Sequence, residues 1–450
     1  MPIYRAIFWF VLIFSNTVTA SNDIHFSSPD SNYISGKIDS IIQNSGRWNL
    51  EYNLKSYNDS INKIIYKGNT IDKIIDTIVI RSEKLILPKI LYRAASRIKK
   101  PRINDNLNLQ IRKKKSMMIN KYYFLTKDPK INILRYAEED VGMLIDIYPE
   151  FNSRISGIFG MSKLDNNTWD LNGELDLQLE NIWHSMERLS FYWKKNDSLN
   201  QIFKFESIIP YPFNSGIEIN SSLTYEFVNG MYTKTEYKIM NAVSNSSYGI
   251  LSFGYEAGRI NPTNKGLSNY LLSKYKALLV SFNYNNMNAR FLPTSGLKLA
   301  LEIHYGSDDY DDELYTKNNF LFEYNLYNGK IINFYLKSDN KQIRAISSAI
   351  NPAREIRYGG IGNLRGYMDN QFRSNSVYIQ TFEMRLKANP FFRSMLFFDY
   401  GIIPGIKNKL GYGIGLSKLS KNSFFEIEYA LSKNTPIFQG KIHFKWTSIL

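Results

Sequence analysis

The chain has 450 residues, a net charge of +15, no cysteine, and 44% hydrophobic residues that include 32 Tyr and 28 Phe. Without cysteine there is neither a disulfide framework nor a thiolate metal site, and the hydrophobic share is too low for a bundle of membrane helices. The basic residues are spread along the chain and cluster only at 99–102 and 112–115, which reads as the solvated face of a folded domain and not as a nucleic-acid site.

Arg5 followed by the apolar run 6–14 and the small residues Val18-Thr19-Ala20 reads as a secretory signal over 1–20. No other run approaches the roughly 18 apolar residues of a transmembrane helix, so membrane insertion would have to use strands. Residues 21–57 are polar, with a helical turn expected at 38–42 and a strand at 48–54. Over 58–150 the pattern becomes mixed. A strand at 61–66 is stopped by a turn at Gly68-Asn69. Ile71, Ile74, Ile75 and Ile78 have helical spacing over 71–80, and Leu87, Ile90, Leu91 and Ala94 give a second helix over 85–98. Strands are expected near 121–125 and 141–147, and 130–139 reads as irregular. The order strand, helix, helix, strand, strand makes a compact α+β module.

From 151 onward the helical period disappears. Leu171, Gly173, Leu175, Leu177 and Leu179 alternate with Asn172, Glu174, Asp176, Gln178 and Glu180, the pattern of a strand with one oily and one wet face. Similar segments lie at 154–164, 187–195, 201–209, 216–227, 232–243, 248–259, 274–285, 296–305, 315–327 and 330–338. They continue at 377–387, 394–402, 410–419, 424–431 and 441–446, about sixteen in all. An even count of antiparallel strands of this length predicts an all-β transmembrane barrel, because lipid cannot satisfy an open sheet edge. The final strand alternates Ile442, Phe444 and Trp446 against Lys441, His443 and Lys445.

Between the segments 330–338 and 377–387, a loop over 341–375 carries Gly359, Gly360 and Gly362, then Leu364-Arg365-Gly366-Tyr367. Such a glycine-rich run is poor helix and poor strand, and reads as a shaped loop. Two acidic residues follow in strand contexts, Glu383 and Asp399. The four histidines, His25, His184, His304 and His443, have no metal-ligand spacing, and no Gly-x-Ser-x-Gly elbow occurs; no enzyme, cofactor or metal is expected. The acidic run Asp308, Asp309, Asp311, Asp312 and Glu313 reads as a solvated hairpin tip, not a Ca²⁺ loop.

With these pieces in place the chain resembles the BamA/TamA family of outer-membrane assembly factors, the bacterial surface antigen family. Its members carry periplasmic POTRA modules ahead of a sixteen-stranded barrel. The first POTRA strand and its turn resemble 64–69, with Gly68 and Asn69; the mid-barrel turn resembles 291–297, with Pro293, Thr294, Ser295 and Gly296. The inward-folded loop motif matches Leu364-Arg365-Gly366-Tyr367, and a wall strand matches 397–401, with Asp399. The resemblance implies a POTRA-like module at 58–150, a degenerate remnant in 21–57, and a barrel over 151–450. It also implies that Arg365 reaches the wall and pairs with Glu383 and Asp399. In a wet lumen such a pair is expected to contribute only ~0–1 kcal/mol.

The implied function is insertion or translocation of unfolded outer-membrane or secreted proteins by strand addition at a weak seam between first and last strands. Outer-membrane lipids and accessory lipoproteins are the other implied partners, with no nucleic acid. The alternative is a dedicated secretion pore for one partner, or a passive channel plugged by its own loop. Leucine stands where the family has a β-branched residue before the arginine, and only one full module is legible, which leaves less edge-strand surface for partners.

Overall fold

The computed structural model describes residues 23–450 apart from 28–29, 46–49, 59–62, 71–72, 104–106, 136–139, 164–168, 198–199, 213–214, 216, 310–312, 347–349 and 361. The expected leader at 1–20 lies outside the described residues. Two units are distinguished, the first formed by residues up to 77 with 100–110 and 133–143, the second by the remainder.

The first unit begins with β1 (Asp23–Phe26), α1 (Ser31–Ser45), β2 (Leu50–Asn58) and β3 (Lys63–Thr70), with the sheet ordered β1-β3-β2. Asp30 starts the helix, its carboxylate accepting the Asn32 backbone N–H at 2.9 Å. Phe26, Ile34 and Ile64 form the core, with Ile24, Ile38 and Tyr66 against it. Here the sequence reading needs correction. Gly68 and Asn69 are not a turn: they lie inside β3 and face Tyr52 and Glu51 of β2. The sheet therefore joins residues on both sides of the expected 57/58 boundary.

The expected helix over 71–80 is also absent: the described part forms β4 (Lys73–Ile74) and β5 (Thr77–Ser82). Ile74, Ile75, Thr77, Ile78, Val79 and Ile80 are β-branched, and that stiffness at χ1 outweighs an apolar spacing that happens to fit a helix. Then come α2 (Pro88–Ser96), β6 (Arg102–Ile103), α3 (Leu107–Lys121), β7 (Lys130–Arg135) and β8 (Val141–Ile147). From β5 onward the order is strand, helix, strand, helix, strand, strand: the two-residue β6, paired with β4, interrupts the expected succession of two helices. Residues 130–135, expected to be irregular, are a strand. The expected strand at 121–125 is instead the end of α3 and a turn. Its apolar residues all pack inward there, Phe124 stacking on Tyr122 at 5.4 Å and meeting Phe151 at 4.7 Å. A short apolar run does not by itself distinguish strand from buried turn.

The second unit holds the barrel, whose strands are the sixteen segments read from the sequence, each within a few residues of its expected limits except that of 330–338, which continues to Ala345. They are β9 (Arg154–Lys163), β10 (Trp169–Glu180), β11 (Arg188–Asp197), β12 (Asn200–Pro210), β13 (Glu218–Val228), β14 (Tyr232–Ser246), β15 (Gly249–Pro262) and β16 (Ser273–Asn285). Next are β17 (Leu297–Asp308), β18 (Glu313–Asn328) and β19 (Ile332–Ala345). Inside the long loop lie the short β20 (Ile356–Tyr358) and β21 (Phe372–Ser374), which pair with each other. The wall resumes with β22 (Ser376–Asn389), β23 (Phe392–Ile403), β24 (Ile406–Leu419), β25 (Ser423–Ser432) and β26 (Lys441–Ile449). Every neighbour is antiparallel, and β26 returns to β9 to close the barrel. Because β19 runs to Ala345, the loop is shorter at its start than the expected 341–375.

Alternation decides which face meets what. Along β16, Tyr275, Ala277 and Leu279 are buried inward while Leu278 and Val280 stand exposed on the outside. The exterior also shows Phe253, Tyr255, Ile303, Tyr305, Phe398 and Ile414. An apolar exterior on a closed sheet is the surface that a bilayer covers. Among the described residues no helix is long and apolar enough to cross a membrane.

The turns at one end of the barrel carry the end of α3. Tyr122 and Tyr211 share a hydrogen bond at 2.8 Å, and the Tyr123 hydroxyl donates to the Glu187 carbonyl at 2.9 Å. Burial, with Tyr211 beside it, pushes the Tyr122 phenol well above its usual range. At the same end the segment 288–296 is tied as a turn: the Asn288 side chain accepts the Thr294 and Ser295 N–H groups at 2.9 and 3.1 Å. Asn333 donates to the Thr294 carbonyl at 2.9 Å. Arg290 in this turn holds Glu180 through both guanidinium nitrogens. Pro293, Thr294, Ser295 and Gly296 therefore sit between β16 and β17, at the opposite end from the long loop.

Candidate functional site

The loop after β19 enters the barrel and meets the wall at several places. Asn363 shapes its turn by accepting the Gly359 N–H at 2.9 Å, and the Gly360 N–H donates to the Leu364 carbonyl at 3.0 Å. Leu364 is fully buried with Tyr358, Val377, Ile379 and Ile403. Its fork fills the space beside Gly401, so leucine suits this lumen where the family has a β-branched residue.

Arg365 follows, and its guanidinium is shared among three wall strands. Nε and Nη2 donate to Asp399 on β23 at 2.7 and 2.8 Å; Nη1 donates to Glu383 on β22 and Glu428 on β25, both at 3.0 Å. The Arg365 backbone N–H also donates to Asp399, at 3.1 Å. The cation lies 3.6 Å from the centre of the Phe397 ring. A planar fork of donors suits this set of carboxylates better than an ammonium would. Thr381 donates to Asp399 at 2.8 Å, and Arg385 to Glu383 at 2.8 Å, while stacking on Tyr335. Three carboxylates are thus matched by two guanidinium groups.

The expectation of a pair in a wet lumen, contributing ~0–1 kcal/mol, does not hold: Arg365 is 6% exposed and Asp399 0%. For a buried hydrogen-bonded set the relevant quantity is the cost of removing one partner, about 3–5 kcal/mol. The backbone approach is equally close. Gly366 has φ +88°, and a Cβ there would lie 2.6 Å from the Leu431 carbonyl oxygen. On β24, a Cβ on Gly411 would overlap the Arg365 carbonyl oxygen. Tyr367 donates to the Leu410 carbonyl at 3.1 Å.

The structure therefore brings Leu364, Arg365, Gly366, Tyr367, Glu383 and Asp399 together. Pro293, Thr294, Ser295 and Gly296 lie at the other end of the barrel, and Gly68 and Asn69 belong to the first unit. Sequence reasoning missed Glu428, although Glu426 and Glu428 alternate with apolar residues on one face of β25. It also missed a second anchor. Arg354 lies between the Tyr275 and Tyr315 rings, 3.9 and 3.8 Å from their centres, and donates to Asp308 at 2.7 Å. Asp308, read as part of a solvated tip, is buried and also accepts from Ser273 at 2.8 Å. Further contacts ring the lumen: Arg357 with Glu226 on β13, Lys194 on β11 with Asp369 at 2.6 Å, and Lys337 on β19 with the Gly362 carbonyl at 2.5 Å. Among the described residues no group of His, Cys, Asp and Glu could hold a metal ion.

Closure of the barrel is uneven. β25 and β26 stay in register from Ser423 and Ser448 to Ala430 and Lys441. Among the described residues β26 and β9 pair at Ser448 with Ile155 and Ile449 with Arg154, and just beyond them the Leu450 N–H donates to the Ser153 carbonyl at 2.7 Å. Among the described residues, 441–447 of β26 have no ladder partner on β9.

A closed sixteen-strand barrel with an apolar exterior and a long loop anchored inside its lumen defines an outer-membrane β-barrel. The sequence says which family: residues 185–447, more than half of the chain, match the Omp85 superfamily domain, and the chain belongs to that superfamily. The fold is similar to that of BamA from Haemophilus ducreyi lacking POTRA domains 1–3, with a TM-score of 0.50, 15% identity, and 94% of each chain covered. It is also similar to CdiB from Acinetobacter baumannii (TM-score 0.56, 11% identity, 93% of this chain and 80% of that one). The corresponding values for CdiB from Escherichia coli are 0.57, 12%, 92% and 83%. No curated protein sequence matches this chain.

Proposed function

We propose that this barrel accepts unfolded outer-membrane or secreted polypeptides as added strands at the β9/β26 seam, without cofactor or fuel. The observation that carries the reading is the seam itself, held at one end by two residue pairs and the Leu450-to-Ser153 hydrogen bond, and without ladder pairs along 441–447 among the described residues. An unpaired edge in a bilayer is costly, and a polypeptide entering the membrane has the same unmet hydrogen bonds. Strand addition satisfies both at once. The Arg365 cluster serves to hold the loop against β22, β23 and β25, so that the wall on the β26 side of the seam stays shaped while the other side moves. The N-terminal α+β region is proposed to lie in the periplasm and to offer its own strand edges to the incoming chain, with accessory lipoproteins as further partners there.

The test is a reversible latch. Ile155 and Ser448 are paired across the seam, and the chain has no cysteine of its own. In a strain depleted of the native protein, Ile155→Cys with Ser448→Cys should support normal outer-membrane protein levels when reduced and lose that support when oxidised. A broad fall in outer-membrane barrels identifies an insertase, and loss of one secreted protein a dedicated pore. Equal function of the oxidised and reduced forms would refute the seam and leave a passive channel.

A further inference from the structure

The free edge of β26 has a chemical character. Its lumen-facing residues, at every second position, are Lys441, His443 and Lys445. On the closed side of the same strand, β25 places Glu426 opposite Lys445 and Glu428 opposite His443. Those two carboxylates are engaged elsewhere as well, Glu428 by Arg365 and Glu426 by the Ser417 hydroxyl. Lys445 reaches past β9 to Asp176 of β10, at 4.0 Å, and is still 46% exposed along its side chain. Strand β10 itself has a lumen face of Glu174, Asp176, Gln178 and Glu180, and Glu174 pairs with Lys194 at 3.2 Å. Both strands that bracket the seam from within the wall therefore carry an acidic lumen face.

The space beside the seam carries basic residues, as β26 does. A cavity of about 940 Å³ opens between Ser156–Ile158 of β9 and Phe444–Trp446 of β26. Its lining has eight Lys and Arg side chains against four Asp and Glu. Deeper in the lumen Arg354 is held by Asp308, Lys317 by Glu256 and Lys341 by Asp339, whereas Lys445 lies at the seam itself.

Resting on the strand-addition reading above, we propose that this seam selects polypeptide strands whose lumenal face is acidic, with Asp or Glu at alternate positions. Residues directly opposite in an antiparallel pair are the ones that interact, and opposite charges there are favourable while like charges repel. A strand added to β26 puts its lumenal residues opposite Lys441, His443 and Lys445. Its other face, toward lipid beside Ile442, Phe444 and Trp446, must be apolar. The recognised segment therefore resembles the chain's own β10, in which leucines alternate with acidic and amide residues.

The experiment uses full-length protein in nanodiscs with Phe444→Cys as its single cysteine. It is offered three ten-residue peptides of alternating leucine with glutamate, glutamine or lysine, each with one cysteine at a leucine position, in a thiol–disulfide buffer. The expected cross-linking yield at low salt is roughly tenfold higher for the glutamate peptide than for the glutamine peptide, and lowest for lysine. The preference should shrink at 1 M salt and reverse in Lys441→Glu with Lys445→Glu. Should that double variant fail to fold, Lys445→Gln is expected to cut the glutamate preference by about half on a logarithmic scale. Equal yields from all three peptides would overturn the charge selectivity and leave strand addition standing. No yield from any peptide would overturn both.

Discussion

Replacing Arg365 by alanine removes every side-chain hydrogen bond that ties the loop to Asp399, Glu383 and Glu428. The three carboxylates do not suffer equally. Glu383 keeps Arg385 at 2.8 Å, and Glu428 is the least enclosed of the three. Asp399, with no exposed surface, keeps only Thr381 and, while the loop stays docked, the backbone N–H of residue 365. The cost is that of one buried carboxylate deprived of its cation, about 3–5 kcal/mol. At 1.4 kcal/mol per decade this shifts the docked loop toward release by about two to three and a half decades. The barrel itself should hardly notice, since β22, β23, β24 and β25 keep their ladders.

Hydrogen–deuterium exchange in nanodiscs separates the two effects. Amides of 359–371 should exchange at least a hundredfold faster in Arg365→Ala, while those of β22 and β23 change little. Arg365→Lys, with the charge but not the fork, should fall between. Combining Arg365→Ala with Asp399→Asn should cost much less than the sum of the two single changes, because the second removes the stranded charge left by the first. Exchange over 359–371 within threefold of the native protein, or additive single changes, would refute the reasoning and mean that the other lumen contacts hold the loop without Arg365.

Gly366→Ala should release the same segment even with Arg365 intact, because the new Cβ meets the Leu431 backbone and the φ of +88° costs a further ~1–3 kcal/mol; native-like exchange over 359–371 would contradict this. Asp308→Asn should free Arg354 from between Tyr275 and Tyr315 and speed exchange at 350–358, with no change at 362–368, which distinguishes two independent anchors from one cooperative plug. The oxidised Ile155→Cys, Ser448→Cys latch should raise the temperature at which the barrel unfolds on gels while abolishing its function; loss of stability would mean the seam pairing is wrong.

The barrel was legible because a strand with lipid on one side and water on the other must alternate, and that period survives in each of the sixteen segments. The loop motif was legible through a resemblance, not through its residue types, which fit an ordinary hairpin tip equally well. What escaped was of two kinds. In the N-terminal region, isoleucines spaced at 71, 74, 75 and 78 satisfy a helical pattern by accident, and only the accumulated β-branching argues against it. In the lumen, Glu428, Asp308 and Arg354 come together from strands and loops far apart in the chain, where no local period records their distance. Burial of the Arg365 cluster was illegible for the same reason: it is set by Leu364, Phe397 and the loop backbone together.

These contacts also bear on how the seam could open. The loop crosses it: Arg365 holds β22, β23 and β25 on one side, and Asp369 holds Lys194 of β11 on the other. The two attachments differ in kind. Arg365 sits in a buried fork of carboxylates, whereas Asp369 and Lys194 form a pair whose side chains are 41% and 21% exposed, and such pairs contribute ~0–1 kcal/mol. If β9 and β10 move away from β26, carrying β11 with them, the weak attachment yields and the strong one remains. Such an opening leaves the loop with the rest of the wall, where Arg357 holds Glu226 of β13 and Arg354 holds Asp308 of β17, keeps the lumen face of β26 in place, and frees Lys194 and Lys445 to meet an incoming acidic strand. On the strand-addition reading proposed above, the weakness of the Asp369–Lys194 pair beside the Arg365 cluster would give the seam one moving side.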